Sequence, residues 1–200
     1  MKTAVKPAAG RPKDLEKRGA ILAAAAGLFL EQGFERTTVE AIAARAGVSK
    51  LTVYSHFEGK EGLFKALIVE KCNEHFEARD FAELAVLGPH EALARIAGGF
   101  LSLMYHPDVL SLHRVLMTAA RQDASMNVTF WDTGPAPTID SLARLLKRFD
   151  AAGELRVPNA QVAADQFLSM LKGVDHLRVL LNVGEIPGAR RLKTIANDTV

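Results

Sequence analysis

Apolar residues recur every three or four positions along most of this chain, and glycine or proline interrupts the pattern at helix-length intervals. Residues 15–33 show the first such stripe, which ends at Gly33 and is followed by the apolar Phe34. This spacing is typical of amphipathic α-helices, whose apolar face packs on a core. Residues 60–200 lack the alternating pattern of half-buried strands. The chain is therefore expected to be all-α.

Turn-forming residues divide the longer second part of the chain into helical segments. Gly134-Pro135 lies inside one of these segments and predicts a kink or a break, because proline interrupts the hydrogen bonds of a helix. The expected helices cover, approximately, residues 60–86, 89–104, 108–122, 126–150, 159–182 and 188–199.

Residues 37–57 predict two short helices joined by a tight turn. Thr37 and Glu40 have the spacing of a capping box, which satisfies free N–H groups at the start of a helix. Gly47 suits the turn, because glycine adopts a positive φ without steric cost. Ser49 is a favourable cap for the next helix. The arrangement is that of a helix-turn-helix, which places its second helix in the DNA major groove.

The second of these helices has an apolar inner face and a mixed outer face. Val53 and Phe57 are four positions apart and are expected to point inward together. An αα-hairpin with an ordinary glycine turn has the same local pattern and is the alternative for residues 37–57 taken alone. The outward side chains that can meet phosphates, base edges and the thymine methyl group are Lys50, Leu51, Thr52 and Tyr54.

Further residues at fixed spacing extend this pattern on both sides. They are Phe29, Gly33, Phe34, Thr37, Thr38, Val39, Ile42, Ala43, Ala46, Gly47, Val48, Ser49, Lys50, Val53, Tyr54, His56, Phe57, Lys60, Glu61 and Leu63. Together they resemble the TetR family of transcriptional regulators over approximately residues 11–72. Two positions depart from that family: Leu51 stands where many members have Gly or Ala, and Val53 replaces the commoner Leu. The base preference of a relative therefore cannot be transferred to this chain.

The resemblance implies an N-terminal domain of three helices that reads DNA, and it implies roles for single residues. Thr38 opens the second helix and Lys60 opens the fourth, and both are expected on phosphates. His56 ends the recognition helix near the DNA backbone. Packing remains an alternative role for His56 and for Tyr54. The complete set of expected DNA contacts is Thr38, Ser49, Lys50, Leu51, Thr52, Tyr54, His56 and Lys60.

The distribution of charge supports this assignment. Residues 1–60 contain ten Lys and Arg against six Asp and Glu, whereas residues 61–200 contain fifteen against seventeen. The basic excess lies with the expected DNA reader, as attraction to phosphates requires. Arg11 and Lys13 belong to a basic leader that can enter an A·T-rich minor groove, with a solvated tail as the alternative. We expect a flexible basic arm at residues 1–14, a helix-turn-helix DNA-binding domain at 15–60, and a helical ligand-binding and dimerisation domain at 61–200.

Other classes of function find little support in the sequence. Cys72 is the single cysteine, which excludes an internal disulfide and suits a reducing cytoplasm. No apolar run is long enough to cross a membrane, and the leader lacks the apolar region of a secretory signal. Cys72 and His75 are the only pair with ligand-like spacing, and no phosphate loop or nucleophile elbow occurs. We therefore expect no enzymatic activity, metal or cofactor, and a cytoplasmic, nucleoid-associated protein.

The most apolar segment of the second domain is residues 159–182, where the apolar face is too wide for one helix to bury. In TetR relatives the last two long helices pair with those of a second subunit. The resemblance therefore implies a homodimer through residues 159–182 and a neighbouring helix. A core within a single monomer is the alternative.

A looser set of matches occupies residues 100–181: Phe100, Leu101, Pro107, Leu112, His113, Arg114, Val115, Phe130, Gly134, Pro135, Gly153, Glu154 and Leu155. This set is similar to the C-terminal domain of the AefR-like branch of the family. A ligand pocket is then expected among the middle helices, because Met and aromatic side chains adapt to apolar ligands. His113 or Arg114 can orient a polar group, and simple core filling is the alternative for any one residue. The candidate lining residues are Phe76, Phe100, Met104, His113, Met117, Phe130, Trp131, Phe167 and Met170.

The expected function is that of a sequence-specific DNA-binding regulator, a repressor released from its operator by a partly apolar small molecule. A dimer presents two recognition helices, so its operator is expected to be a pseudo-palindromic duplex. Repression, rather than activation, follows only from the family resemblance. A helical ligand-binding or interaction protein without specific DNA binding is the alternative.

Overall fold

The computed structural model describes residues 11–76, 80–119 and 125–200, and these residues are all-α as expected. They form ten α-helices and one 3-10 helix, with no β-strand among them. The chain divides into two compact units, one ending at Leu67 and one beginning at Ile68. The helices are α1 (Arg11–Gln32), α2 (Val39–Ala46), α3 (Lys50–His56), α4 (Gly59–His75), the 3-10 helix (Phe81–Leu87), α5 (Pro89–Met104), α6 (Pro107–Ala119), α7 (Ser125–Thr133), α8 (Pro135–Ala151), α9 (Ala160–Leu180) and α10 (Ala189–Thr199).

The core of the first unit lies where α1, α2, α3 and the start of α4 meet. Phe29, Phe34 and Phe64 form an aromatic cluster with ring centroids 5.2, 5.5 and 6.0 Å apart. Each buried side chain of this size stabilises the fold by about 1.5–3 kcal/mol. Together they give α3 a rigid support. The fully buried aliphatic side chains around this cluster are Ile21, Leu22, Ile42, Val53 and Leu63.

The start of α2 differs by one residue from the sequence prediction. Thr38 is the N-cap, and its Oγ1 accepts a hydrogen bond from the Ala41 N–H at 3.1 Å. Thr37 is 1% exposed, and its hydroxyl donates to the Gly33 carbonyl at 2.7 Å. The Thr37 side chain therefore joins the end of α1 to the start of α2. The cap predicted at Thr37 is wrong, because burial directs that hydroxyl away from the free N–H groups of α2.

The segment expected as one helix at residues 60–86 is divided. The helix α4 ends at His75, and the 3-10 helix begins at Phe81. The Asp80 carboxylate caps the 3-10 helix, and the Phe81 N–H donates to the Ser141 Oγ at 2.8 Å. The Phe81 ring is buried in the core of the second unit. Tertiary packing against α8 therefore overrides the helical pattern of the sequence here.

The second unit packs α5, α8, α9 and the 3-10 helix around one apolar core that includes Ile96, Leu142 and Leu171. Gly134 separates α7 from α8, at the position where the sequence predicted an interruption. Gly173 also interrupts α9, with φ 54° and ψ −165°, a conformation that is almost restricted to glycine. The apolar periodicity of residues 159–182 did not indicate that second interruption.

Candidate nucleic-acid interface and ligand cavity

The turn between α2 and α3 has the geometry of a sharp helix end. Gly47 has φ 66° and ψ 31°, in the left-handed region where a Cβ is unfavourable. The Gly47 N–H donates to the Ala44 carbonyl at 3.3 Å, and the Val48 N–H donates to the Ala43 carbonyl at 3.0 Å. These two bonds form a Schellman motif, which ends α2 and sets the direction in which α3 begins.

The helix α3 is held at its start, its middle and its end. The Ser49 Oγ accepts a hydrogen bond from the Thr52 N–H at 3.1 Å and lies 2.8 Å from the Thr52 Oγ1. Val53 is completely buried, and Phe57, which directly follows the helix, is buried as well. Because this inner face is fixed, the remaining side chains of α3 are presented in a defined orientation.

The side of α3 that faces away from the core carries the residues expected at DNA bases. Leu51 is 79% exposed and Tyr54 is 50% exposed, values that are high for apolar and aromatic side chains. Lys50 is exposed too, and its Nζ lies 5.8 Å from the Tyr54 ring centroid. The half-buried Thr52 completes this surface. We refer to Lys50, Leu51, Thr52 and Tyr54 as the α3 outer face.

Lys50 also forms an ion pair with Glu40 of α2. The hydrogen bond between them lowers the pKa of Glu40 and raises the pKa of Lys50. Both side chains are more than half exposed, so water and salt weaken their attraction. A phosphate can therefore replace Glu40 as the partner of the Lys50 ammonium.

Lys60, by contrast, is tied to the first unit. Its Nζ donates to the Phe34 carbonyl at 2.9 Å and to the Glu35 carbonyl at 3.4 Å. The same ammonium lies 4.2 Å from the Phe34 ring centroid, a cation–π distance. Lys60 thus links the start of α4 to the segment between α1 and α2. An ammonium has three hydrogens, so one remains for a phosphate.

Thr38 and His56 lie at the two ends of the helix-turn-helix. Thr38 is exposed, although its hydroxyl oxygen caps α2. His56 is half-buried, with its ring centroid 6.2 Å from that of Phe57. The packing role left open for His56 is thus consistent with its position, and its accessible part lies at the end of α3.

Only the last residues of the basic arm, 11–14, belong to the described part of the chain. Residues 1–10 lie outside the described residues, whereas Arg11 and Lys13 lie in the first turn of α1. The helix therefore begins four residues before the expected start at residue 15. Pro12 is compatible with this start, because the N–H groups of a first turn need no partner within the helix.

The second unit contains a cavity of about 490 Å³ among α5, α6, α7, α8, α9 and the C-terminal part of α4. This volume lies within the range of small-molecule sites in proteins. The cavity walls are mostly aliphatic and aromatic. Six of the nine expected lining residues contribute to them: Phe100, Met104, His113, Met117, Phe130 and Trp131.

The other three expected residues do not line this cavity. Phe76 packs on Phe81, with ring centroids 5.0 Å apart. Phe167 is buried in the core of the second unit, and Met170 is largely exposed. Phe167 and Met170 lie on other faces of α9 than Leu168, which does line the cavity. Selection by residue type did not distinguish these faces of α9.

Two histidines contribute to the cavity wall, His113 of α6 and His176 of α9. Their rings are nearly perpendicular, with centroids 5.7 Å apart. Burial, with the nearby His176 and Lys172, lowers the pKa of His113 to about 4. Burial and Lys172 also lower the pKa of His176. Both rings are therefore mainly neutral near pH 7.

Arg114, the other residue expected to orient a ligand, has a structural contact. Its guanidinium donates to the Val179 carbonyl at 2.7 Å and to the Leu180 carbonyl at 3.1 Å. These carbonyls lie at the C-terminal end of α9, where the Val179 carbonyl also accepts a hydrogen bond from the Asn182 N–H at 3.2 Å. Arg114 thus caps α9, and it is not among the residues that line the cavity.

The pair Cys72 and His75 is not part of a metal centre in the described ranges, which hold no group of three or more His, Cys, Asp or Glu arranged around an ion. The His75 Nδ1 instead lies 2.8 Å from the Ser102 Oγ. Burial raises the pKa of the Cys72 thiol. Over the same ranges, none of the helices combines the length and the apolar character needed to cross a bilayer.

Two family models match the chain at these two sites. The first, bacterial regulatory proteins of the tetR family, matches residues 21–67 and so includes the helix-turn-helix. The second, the C-terminal domain of AefR-like transcriptional repressors, matches residues 91–200, which is more than half of the chain. The chain belongs to the TetR family of transcriptional regulators. Its AefR-like C-terminal domain contains most of the residues that line the cavity.

Solved structures of TetR-family proteins have the same architecture. The Flavonoid-responsive Regulator FrrA is 31% identical, with a TM-score of 0.71 and 92% of each chain covered. A TetR-family regulator from Mesorhizobium loti is 21% identical, with a TM-score of 0.75, and the match covers 94% of this chain and 95% of that one. At that lower identity the similarity concerns the fold alone.

A curated relative is matched over a shorter stretch. The HTH-type transcriptional regulator YdeS of Bacillus subtilis is 51% identical over 51 residues, which are 26% of this chain and 26% of YdeS. The match thus spans about a quarter of the relative's length. It supports the N-terminal domain of this TetR-family chain and says nothing of the rest.

The sequence prediction missed the polar stripe with which α9 lines the cavity of this TetR-family protein. Asp165, Ser169, Lys172 and His176 all contribute to that wall. They recur at intervals of three or four residues, which places them along one side of a helix. A polar stripe inside the most apolar segment of the domain was the signal that could have identified it. The prediction also omitted eleven lining residues outside α9, among which Lys71, Cys72 and Thr138 carry an ammonium, a thiol and a hydroxyl.

Proposed function

We propose that this protein is a sequence-specific DNA-binding repressor that a small molecule releases from its operator. The observation that carries the proposal is the α3 outer face. It presents an exposed cation, an exposed apolar tip and an exposed aromatic ring on a helix whose other side is fully anchored. Family membership supports the same function, and the match to AefR-like repressors favours repression over activation.

The exposed residues differ in what they offer to DNA. Leu51 offers an apolar tip for a thymine methyl group, and Tyr54 combines a ring with a hydroxyl that reaches bases or backbone. Lys50 can exchange its ion pair with Glu40 for a phosphate. Basic groups at the edges of the motif add contacts that are independent of sequence. The remaining proposed DNA contacts are Thr38, Ser49, Thr52, His56 and Lys60, with Arg11 and Lys13 at the minor groove.

A homodimer is part of the proposal, because two recognition helices are needed for two half-sites about 34–36 Å apart. Residues 159–182 supply a suitable surface. Val174 is 72% exposed, and Leu177 and Leu181 are more than half exposed on the same stretch. Such a group of exposed apolar side chains is typical of a protein–protein interface. We propose that it pairs with its copy in a second subunit, together with a neighbouring helix.

The effector is proposed to bind in the cavity of the second unit. The cavity has a volume suited to a small molecule and mostly apolar walls that include a few polar side chains. The relative FrrA is by its name a flavonoid-responsive regulator, which supports an effector that is partly apolar. Ligand and operator then favour different conformations of the dimer, so each weakens the binding of the other. The site of action would be the nucleoid, in the cytoplasm.

Fluorescence anisotropy with a labelled duplex tests the DNA-binding function. The duplex is taken from the DNA just upstream of the protein's own gene, and a scrambled duplex of the same composition is the control. We expect selective binding to the first duplex that persists at moderate salt. The variants Leu51→Ala and Tyr54→Ala should lower that selectivity, because they remove contacts to bases and leave the phosphate contacts in place.

The same titration addresses the alternative function, a ligand-binding or interaction protein without specific DNA binding. Equal binding to both duplexes that disappears with salt would reveal only a basic surface. If no other promoter duplex were then bound selectively, the regulator function would be excluded. The cavity of the second unit would remain as the functional site.

A further inference from the structure

One residue of the cavity wall, His176, has a buried polar atom without a partner in the described part of the chain. His176 is 7% exposed and lines the cavity. Its Nε2 is completely buried and has no hydrogen-bond partner among the described residues. Buried ring nitrogens are normally paired, since an unpaired one loses its hydration without compensation. A ligand that pairs with Nε2 would remove this deficit.

The other ring nitrogen of His176 determines which kind of partner Nε2 requires. A hydrogen bond to the backbone of Met104 raises the pKa of His176. A backbone group that favours the protonated ring is a carbonyl, which accepts a hydrogen bond. Because Nε2 has no partner, Nδ1 is the donor to that carbonyl. In the neutral ring, Nε2 then carries a lone pair and accepts a hydrogen bond.

The groups around His176 favour this neutral ring. Burial and the charge of Lys172 both lower the pKa of His176, and they outweigh the carbonyl of Met104. The ring of His113 faces His176 from α6, and the ring of Tyr105 faces it at a centroid distance of 5.6 Å. The Tyr105 hydroxyl donates to the Lys172 carbonyl at 3.3 Å, so it does not serve Nε2.

We propose that the cavity binds a largely apolar aromatic molecule whose hydroxyl group donates a hydrogen bond to the Nε2 of His176. The aromatic part of the ligand would lie against the side chains of Phe130 and Trp131, which line the cavity with Phe100 and Met104. A carboxylate cannot donate a hydrogen bond to Nε2, and an ether cannot either. The inference rests on the proposed function, because it specifies the chemical class of the effector.

Three matched probes test this inference: 6-hydroxyflavone, flavone without the hydroxyl, and 6-methoxyflavone. Affinity is measured by isothermal titration calorimetry with the full chain and no DNA. Trp131, the single tryptophan of the chain, reports through fluorescence quenching that the probe has entered the cavity. We expect the hydroxylated probe to bind roughly tenfold more tightly than either of the others, the effect of one buried hydrogen bond.

A variant of His176 identifies the acceptor. In His176→Phe, the preference for the hydroxylated probe should disappear, whereas His176→Gln, which keeps an acceptor oxygen, should retain part of it. His90→Phe is the matched control, because it replaces an exposed histidine of α5 that does not line the cavity, and it should leave the preference intact. Circular dichroism shows whether each variant is folded. If His176→Phe does not fold, the comparison of hydroxyl with methyl ether on the unaltered protein still decides the donor requirement.

The inference is overturned if the unaltered protein does not bind 6-hydroxyflavone, binds the three flavones equally, or binds the carboxylate probe decanoate more tightly. It is also overturned if a folded His176→Phe variant keeps the full preference for the hydroxyl. None of these results affects the operator titration, so failure of the ligand class and failure of the DNA-binding function are separate observations.

Discussion

At the scale of single residues, Lys50 and Lys60, the two lysines expected to contact phosphates, lie in different environments. Lys50 is exposed and shares an ion pair with an equally accessible Glu40. Lys60 is half-buried and donates to the carbonyls of Phe34 and Glu35. A substitution of Lys60 therefore disturbs the fold of the first unit as well as any DNA contact. Lys50 is the better residue with which to test the DNA interface.

Replacement of Lys50 by alanine should weaken operator binding and reduce its dependence on salt. Each phosphate contact contributes about 0.9 to the slope of log affinity against log salt concentration, and the proposed dimer has two Lys50 side chains, so the slope should fall by about two. The exposed Lys147 of α8 provides the matched control, Lys147→Ala, with the slope unchanged. Anisotropy titrations at several salt concentrations measure both variants. An unchanged slope in Lys50→Ala would remove Lys50 from the DNA interface.

Acid should destabilise the fold through His113. Its pKa is about 4 in the folded protein, against an ordinary value of 6.5. Between these values the unfolded chain binds more protons, so the free energy of unfolding falls as the pH falls from 6.5 to about 4. A pKa difference of this size corresponds to about 3–4 kcal/mol.

Urea denaturation at a series of pH values measures this effect. The variant His113→Phe should lose that part of the pH dependence, because the ring that must charge on unfolding is absent. His90→Phe, at an exposed position, is the control and should keep it. The assignment to His113 is contradicted if the two variants have the same pH dependence.

At the scale of helices, the sequence predicted which segments are helical better than where they end. Helices end at Gly33, Gly47 and Gly134, as the sequence predicted. Gly33 and Gly47 have a positive φ, which glycine adopts easily, and Gly134 lies between α7 and α8. The division of residues 60–86 was not predictable in this way. It depends on the burial of Phe81 and on its bond to Ser141, sixty positions away in the chain.

The cavity shows the same limit. Aromatic and Met residues of α5, α6 and α7 were predicted to line it, because such side chains adapt to apolar ligands, and six of them do. On α9 the prediction selected Phe167 and Met170 by their type, and these residues lie on other faces. The cavity-lining face of α9 is instead the one with the polar stripe from Asp165 to His176, which a selection of apolar and aromatic residues passes over.

The turn between α2 and α3 should be sensitive to a single methyl group. Gly47→Ala places a Cβ in the left-handed region and should lower the free energy of unfolding by about 1–2 kcal/mol. Gly98→Ala is the matched control, because Gly98 lies within α5 with open space around its Cβ position and an ordinary helical φ. That variant should be neutral or up to about 1 kcal/mol more stable.

Denaturation followed by circular dichroism gives both values. Equal effects of the two substitutions would contradict the role of the Gly47 conformation in ending α2.

At the scale of the whole molecule, two surfaces expose apolar or aromatic side chains to solvent. One is the α3 outer face, and the other is the apolar stretch of α9 and its C-terminal extension, with Val174, Leu177 and Leu181 exposed. The first is mixed in character, as DNA requires, whereas the second is apolar, as a protein partner requires. A dimer of a DNA-binding protein uses both.

A charge at the centre of the apolar stretch should therefore separate the subunits. Val174→Glu is expected to shift the protein from dimer to monomer in analytical ultracentrifugation. It should also reduce operator affinity at least tenfold, because each half-site is then bound by a separate monomer. Val86→Glu, on the 3-10 helix and 85% exposed, is the control and should change neither property. A Val174→Glu variant that remains dimeric would place the interface elsewhere.

Selection of bound sequences from a pool of random DNA duplexes tests the central claim most directly, because it assumes no operator. The unaltered protein is mixed with the pool, bound duplexes are recovered over several rounds, and their sequences are determined. We predict enrichment of a pseudo-palindrome whose two half-sites are about one DNA turn apart. Recovery of a folded, dimeric protein with no sequence enriched above the starting pool would contradict the claim that this chain reads DNA.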